Sequence, residues 1–158
     1  MSIELEISGI EGIGLIRRAL INLVPGLKKE IIHRLANAAH GYAQDGADAH
    51  TKTGALARSI KLEKRGEGYA VVQDEQVAPH GRFVHWGTRP HEIRPRRKRA
   101  LRWVAGGAFV FAQRVQHPGY EGDPFMETAR AQVASDFDSI ARAAFAEVRS
   151  GWFGGGQA

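Results

Sequence analysis

The stretch DPFMETARAQVASDFDSIARAAFAEV, residues 123–148, decides the fold class. Within it Phe125, Ala129, Val133, Phe137, Ile140, Ala144 and Val148 recur at steps of three and four residues, so they share one face of an α-helix. Asp123 suits the cap, and Pro124 suits the first helical position, where its missing N–H is no loss. The reading is an amphipathic helix of about six or seven turns, with its apolar stripe laid against a sheet.

Upstream of this helix the period shortens to two. Ile60 and Leu62 alternate with Lys61 and Glu63, and Gly66-Glu67-Gly68 turns the chain into Tyr69-Ala70-Val71-Val72, a hairpin pattern. A second hairpin is expected where Ala100-Leu101-Arg102-Trp103-Val104 turns at Ala105-Gly106-Gly107 into Ala108-Phe109-Val110-Phe111-Ala112. Phe109 and Phe111 share a strand face, and Trp103, in an alternating strand, is expected in the core. Residues 77–86 read as a loop followed by a short helix or extended segment. Helical spacing returns near the start of the chain. Ile13, Ile16, Leu20, Leu23 and Val24 form one stripe, stopped by Pro25-Gly26, and Leu27, Ile31, Leu35, Ala38 and Tyr42 form a second. Thr53 can cap a single helical turn that follows. The expectation is one α+β domain over residues 1–150, an antiparallel sheet of two hairpins packed against a long C-terminal helix, with N-terminal helices in residues 1–50. A flexible glycine-rich tail is expected over residues 151–158.

Composition narrows the chemistry. The chain has 158 residues, 43% of them apolar and 25% charged, the balance of an ordinary folded domain. It has no cysteine, which excludes disulfides, thiolate catalysis and cysteine-ligated metals. No apolar run approaches membrane-spanning length and no secretory signal is visible, so synthesis in a cytoplasm is expected. The formal charge of +5 is unevenly spread. Residues 82–102 hold eight basic side chains against Glu92, a net +7, which leaves −2 for the remainder. Such a patch suits nucleic acid, an acidic partner surface, or simply a solvated hairpin rim.

Catalytic signatures are missing. His80, His85, His91 and His117 lack any metal-ligand spacing, and Ser59 and Ser139 lie in patterned elements without a nucleophile elbow. The glycines at 9, 12 and 14 lack the lysine of a phosphate loop. Asp136 and Asp138 lie two apart and do not share a helix face. Only Glu92, beside His91, adjoins the basic patch. No cofactor, metal or catalytic residue is assigned. Basic residues interleaved with Trp86 and Trp103 could grip nucleic acid, or anchor a protein interface.

Several phrases in fixed order carry a resemblance. They are Thr53-Gly54-x-Leu56-x-x-Ser59-Ile60, His85-Trp86-Gly87-Thr88, His91-Glu92-Ile93-x-Pro95 with Ala100-Leu101-x-Trp103, His117-Pro118-Gly119, and Pro124-Phe125-Met126 opening the long helix. Together, over residues 51–148, they resemble the head–tail joining or tail-completion proteins of tailed bacteriophages, often described as neck or minor tail proteins. In that family the residue before the aromatic-Gly-Thr phrase is commonly acidic; here it is His85. The resemblance implies a structural virion protein of the neck or tail top, assembled in the host cytoplasm and not an enzyme. It implies a ring, usually sixfold, between connector or stopper proteins and the tail terminator or tail tube, with packaged DNA in the channel and no membrane. The motif residues read as fold determinants: Gly54 and Gly87 permit turns, Pro95 and Pro118 end strands, and Pro124 and Phe125 start and anchor the helix. Contacts are then expected from Arg89, Arg94, Arg96, Arg97, Lys98, Arg99 and Arg102, with a protein neighbour slightly favoured over DNA. The alternatives are a stand-alone nucleic-acid-binding protein and, less well supported, a metal-dependent nuclease.

Overall fold

The computed structural model describes residues 3–7, 24, 26–50 and 53–153. The expected first helix falls almost wholly outside these residues, as does the glycine tail beyond residue 153. The chain forms an α+β fold, as its periodicities predict. In order, the elements are β1 (Glu4–Ile7), α1 (Leu27–Asp48), α2 (Ala55–Ser59), β2 (Ile60–Arg65), β3 (Gly68–Gln73), α3 (Gly81–Trp86), β4 (His91–Ile93), β5 (Leu101–Ala105), β6 (Ala108–Ala112), β7 (Val115–His117) and α4 (Phe125–Phe153).

The core is a pair of long helices laid over a small sheet. Helix α1 buries Leu27, Ile31, Ile32, Leu35, Ala36, Ala39, Ala43 and Ala47. Its expected stripe thus shifts at the C-terminal half, where Ala39 and Ala43 are buried and Ala38 and Tyr42 only partly so. At Gly46 the absence of a side chain lets α4 approach closely. A Cβ on Gly46 would lie 2.9 Å from the Cβ of Phe125. The Tyr42 hydroxyl donates to Asp136 at 2.6 Å, and Arg34 lies 4.0 Å from Glu147, so the two helices run antiparallel. The stripe on α4 therefore finds its main partner in α1, and among the strands it meets chiefly β1. Phe125, Met126, Ala129, Val133 and Ala144 are buried, while Phe137, Ile140 and Val148 sit at the margin of the core. Asp123, expected at the cap, meets His50 Nε2 through one carboxylate oxygen at 2.6 Å. Pro124 supplies the carbonyl that accepts from the Thr128 N–H at 3.0 Å.

The first expected hairpin is present as β2–β3, and β3 is the central strand. Strand β1, which the sequence reading missed, adds to its other edge, giving the order β1-β3-β2, all antiparallel. Val71 faces Leu5 on one side and Leu62 on the other and is fully buried. Glu4, Glu63 and Arg65 form an ion-paired cluster across the sheet. The second hairpin, β5–β6, is also present but belongs to a separate sheet.

Phe125 is 1% exposed where α1 meets α4, so Phe125→Ala should lower the unfolding free energy by about 3–5 kcal/mol in urea titration. Phe137→Ala, at the margin, should cost less. Equal losses at the two positions would place the helix packing elsewhere.

Candidate functional site

Residues 88–120 form a ribbon of two successive two-stranded sheets, β4–β7 at the root and β5–β6 beyond it. Thr88 pairs with Tyr120, His91 with His117 and Ile93 with Val115, all in a single register. Beyond this the register slips: Leu101 pairs with Ala112, and Ala105 with Ala108 at the turn. Seven residues, 94–100, thus lie opposite only Gln113 and Arg114. They bulge from the ribbon, and they are the charged run. Arg94 is ion-paired with Glu92, whereas Arg96, Arg97, Lys98 and Arg99 have no ion-pair partner among the described residues. All four are exposed. Arg89 lies between the root and β4, and Arg102 lies on β5 with its guanidinium 4.6 Å from the Phe109 ring centroid.

The outer hairpin departs from expectation. Trp103 is not in the core but 39% exposed, and Val104, Phe109 and Phe111 are more exposed still. Alternation places Arg102, Val104, Phe109 and Phe111 on one face and Leu101, Trp103 and Val110 on the other. The ribbon's strands make extensive contact only with one another, so neither face is packed on the helices or the three-stranded sheet. A strand pattern encodes which residues share a face; it does not say whether anything covers that face.

The root of the ribbon gathers the motif phrases. The Thr88 N–H donates to the Tyr120 carbonyl at 2.7 Å, and the Tyr120 N–H donates back at 2.9 Å. Gly87 has φ 75°, and any Cβ there would collide with the Tyr120 carbonyl oxygen. Gly119 has φ 90°, and a Cβ there would lie 2.6 Å from the Thr88 oxygen. The root is tied to α4 by the Asp123 N–H, which donates to the Val84 carbonyl at 2.8 Å. Pro118 follows the end of β7, and Pro95 stands two residues beyond β4, so both mark strand ends. Behind the root, Leu56 and Gln73 pack so tightly on α3 that a Cβ on Gly81 would meet both within 3 Å. Ser59 accepts from Gln73 at 3.3 Å, and the Thr53 hydroxyl accepts from the Ala55 N–H at 3.4 Å, opening α2 after Gly54.

His85 is the titratable group buried at this root, 2% exposed. Its ring meets Phe125 and Trp86 edge-on, with centroids 4.8 and 4.4 Å away. Nε2 lies 2.8 Å from Glu127 Oε2 but out of line for a hydrogen bond, and Nδ1 has no partner. Burial outweighs the nearby carboxylates of Glu127 and Asp123 and pushes the imidazole below its ordinary value.

The two histidines of the ribbon, His91 and His117, are held by local backbone. The His91 and His117 rings stack across β4–β7 at 5.0 Å, His91 Nδ1 bonds the Arg89 carbonyl, and His117 Nδ1 accepts from the Gly119 N–H. Among the described residues no three His, Asp or Glu side chains are placed to hold a metal ion. None of the helices among them is long and apolar enough to cross a membrane.

Sequence reasoning located the charge and the outer hairpin but missed the inner pair β4–β7. A usable signal was present: His91-Glu92-Ile93 and Val115-Gln116-His117 are short period-two triplets on either side of one turn. Comparison with family models, with curated proteins and with solved structures finds no match to this chain.

Because His85 is depressed in the folded state, the unfolded chain takes up its proton first on acidification. Its contribution to stability is therefore whole above 6.5 and is lost as pH falls below that value and through the lowered one. The urea midpoint should drop across this window, and His85→Phe should flatten the drop. Identical pH profiles for the two proteins would show that His85 is not the titrating group.

Proposed function

We propose that this chain is a structural assembly subunit of a tailed-phage neck, joining the DNA-filled head to the tail through the basic ribbon. The observation that carries this reading is the ribbon: apolar on both faces, strongly basic at its bulge and not packed on the body. A lone two-stranded hairpin is marginal in water, and exposed apolar surface of this kind marks a docking element. Five positive charges within residues 94–99 repel one another and favour a counter-charged neighbour. The motif phrases that resemble phage neck proteins supply the hub from which this arm extends. No reaction is needed to account for them. Partners of this kind would be copies of the chain in a ring and the adjoining connector, stopper, terminator or tube proteins.

The second reading is nucleic-acid binding. It is favoured by an open cleft running along Pro95 to Arg102 and Phe111, where phosphates could meet guanidinium groups. In a neck this contact would be with DNA in the channel.

Replacing Arg96, Arg97 and Arg99 together by serine should leave the stability within about 0.5 kcal/mol, since all three are exposed. Supplied to a phage lacking this protein, the variant should give filled heads but few joined tails. Infectious particles at normal yield would overturn the assembly reading. Joined particles with altered DNA ejection would instead assign the bulge to DNA.

A further inference from the structure

We propose that the occupant of the ribbon is a second copy of this chain, which receives it on the acidic pole beside the ribbon's own root. This rests on the assembly reading and goes further by naming the partner surface. The donor and acceptor surfaces are matched in character. The donor carries the unpaired bulge cations, Arg96, Arg97, Lys98 and Arg99, next to exposed Phe109 and Phe111. The acceptor lies where the C-terminal end of α1 meets the start of α4, drawn together by the His50–Asp123 contact at 2.6 Å and by Phe125 against Gly46. Asp45, Asp48, Glu121 and Glu127 are exposed there. Trp86 and Tyr120, 51% and 42% exposed, stand at the root beside them. The same chain thus carries a basic, apolar arm and, as the seat, a surface of four carboxylates and two aromatics, with Arg82 and Arg89 exposed at its edge.

The arm does not occupy its own seat, because its strands make extensive contact only with one another. From root to turn, residues 108–120 span roughly 40 Å at about 3.4 Å per residue if straight. The two surfaces are different parts of the molecule, so the contact is head-to-tail and each subunit gives one arm and receives another. Such an interface does not stop at two copies. It closes into a ring or extends as a filament, and its strength depends on ionic strength.

The test is charge reversal on the purified full chain, read by sedimentation velocity at low salt. The arm variant carries Arg96→Glu, Arg97→Glu and Arg99→Glu; the seat variant carries Asp45→Lys, Asp48→Lys and Glu121→Lys. Wild type should form species larger than a dimer, and each variant alone should be monomeric. An equimolar mixture of the two should associate at least about tenfold more tightly than either alone, because each arm then meets an opposite seat. Unfolding curves check that both variants fold; the neutral set Arg96→Gln, Arg97→Gln and Arg99→Gln serves if the reversed arm does not, and should weaken association in the same direction.

A wild type that stays monomeric at every concentration, a symmetric dimer as the end point, or a mixture that fails to rescue would each overturn the proposal. So would an arm reversal that abolishes DNA binding and leaves self-association intact. If neither variant changes self-association but particles still need the protein to join tails, the head-to-tail contact fails while the neck reading stands. If self-association follows the rescue pattern but phage lacking the protein join normally, the reverse holds.

Discussion

The reciprocal hydrogen bonds between Thr88 and Tyr120 hold the ribbon to the body, and they form only because two backbones meet without side chains between them. Gly87 and Gly119 both have positive φ and leave no room for a Cβ, so the chain can cross itself at this point at van der Waals distance. Three elements are tied to this crossing. Helix α3 leads into it, α4 leaves it through the Asp123–Val84 hydrogen bond, and His85 fills the space behind it against Phe125. The end of α1 joins through His50 and Gly46.

The arm itself is built on the opposite principle. Its register slip expels seven residues, and four of them, Arg96, Arg97, Lys98 and Arg99, are exposed cations with no ion-pair partner among the described residues. The inserted loop interrupts the ladder, which resumes in a new register as β5–β6, so one strand presents a dense cationic segment between two paired stretches. The aromatic residues beyond the bulge stay exposed because no helix or sheet of the body comes near them. Stability is therefore concentrated in the α1–α4 core and the root, while the ribbon is left to find its partners elsewhere. A buried histidine at the junction links that division to pH, since burial holds the His85 imidazole below its ordinary value and opposes its charging there.

Local patterns in the residues determined much of this. The three- and four-residue spacing from Phe125 to Val148 dictates a helix, and the glycines at 66, 68, 106 and 107 dictate two turns. The cluster from Arg94 to Arg99 has to be solvent-exposed or paired, since desolvating five like charges is prohibitive. These features follow from interactions within a few residues. What covers a face does not. The stripe on α4 was legible, but that α1 receives it depended on Arg34, Tyr42 and Gly46 meeting residues of a helix some ninety positions away. Trp103 has the alternation of a core strand and is exposed, because periodicity describes one surface and burial requires two. The pairing of β4 with β7, and the gathering of scattered phrases at one glycine-lined crossing, were settled only when the chain closed its long loops, a choice made by packing that no single segment contains.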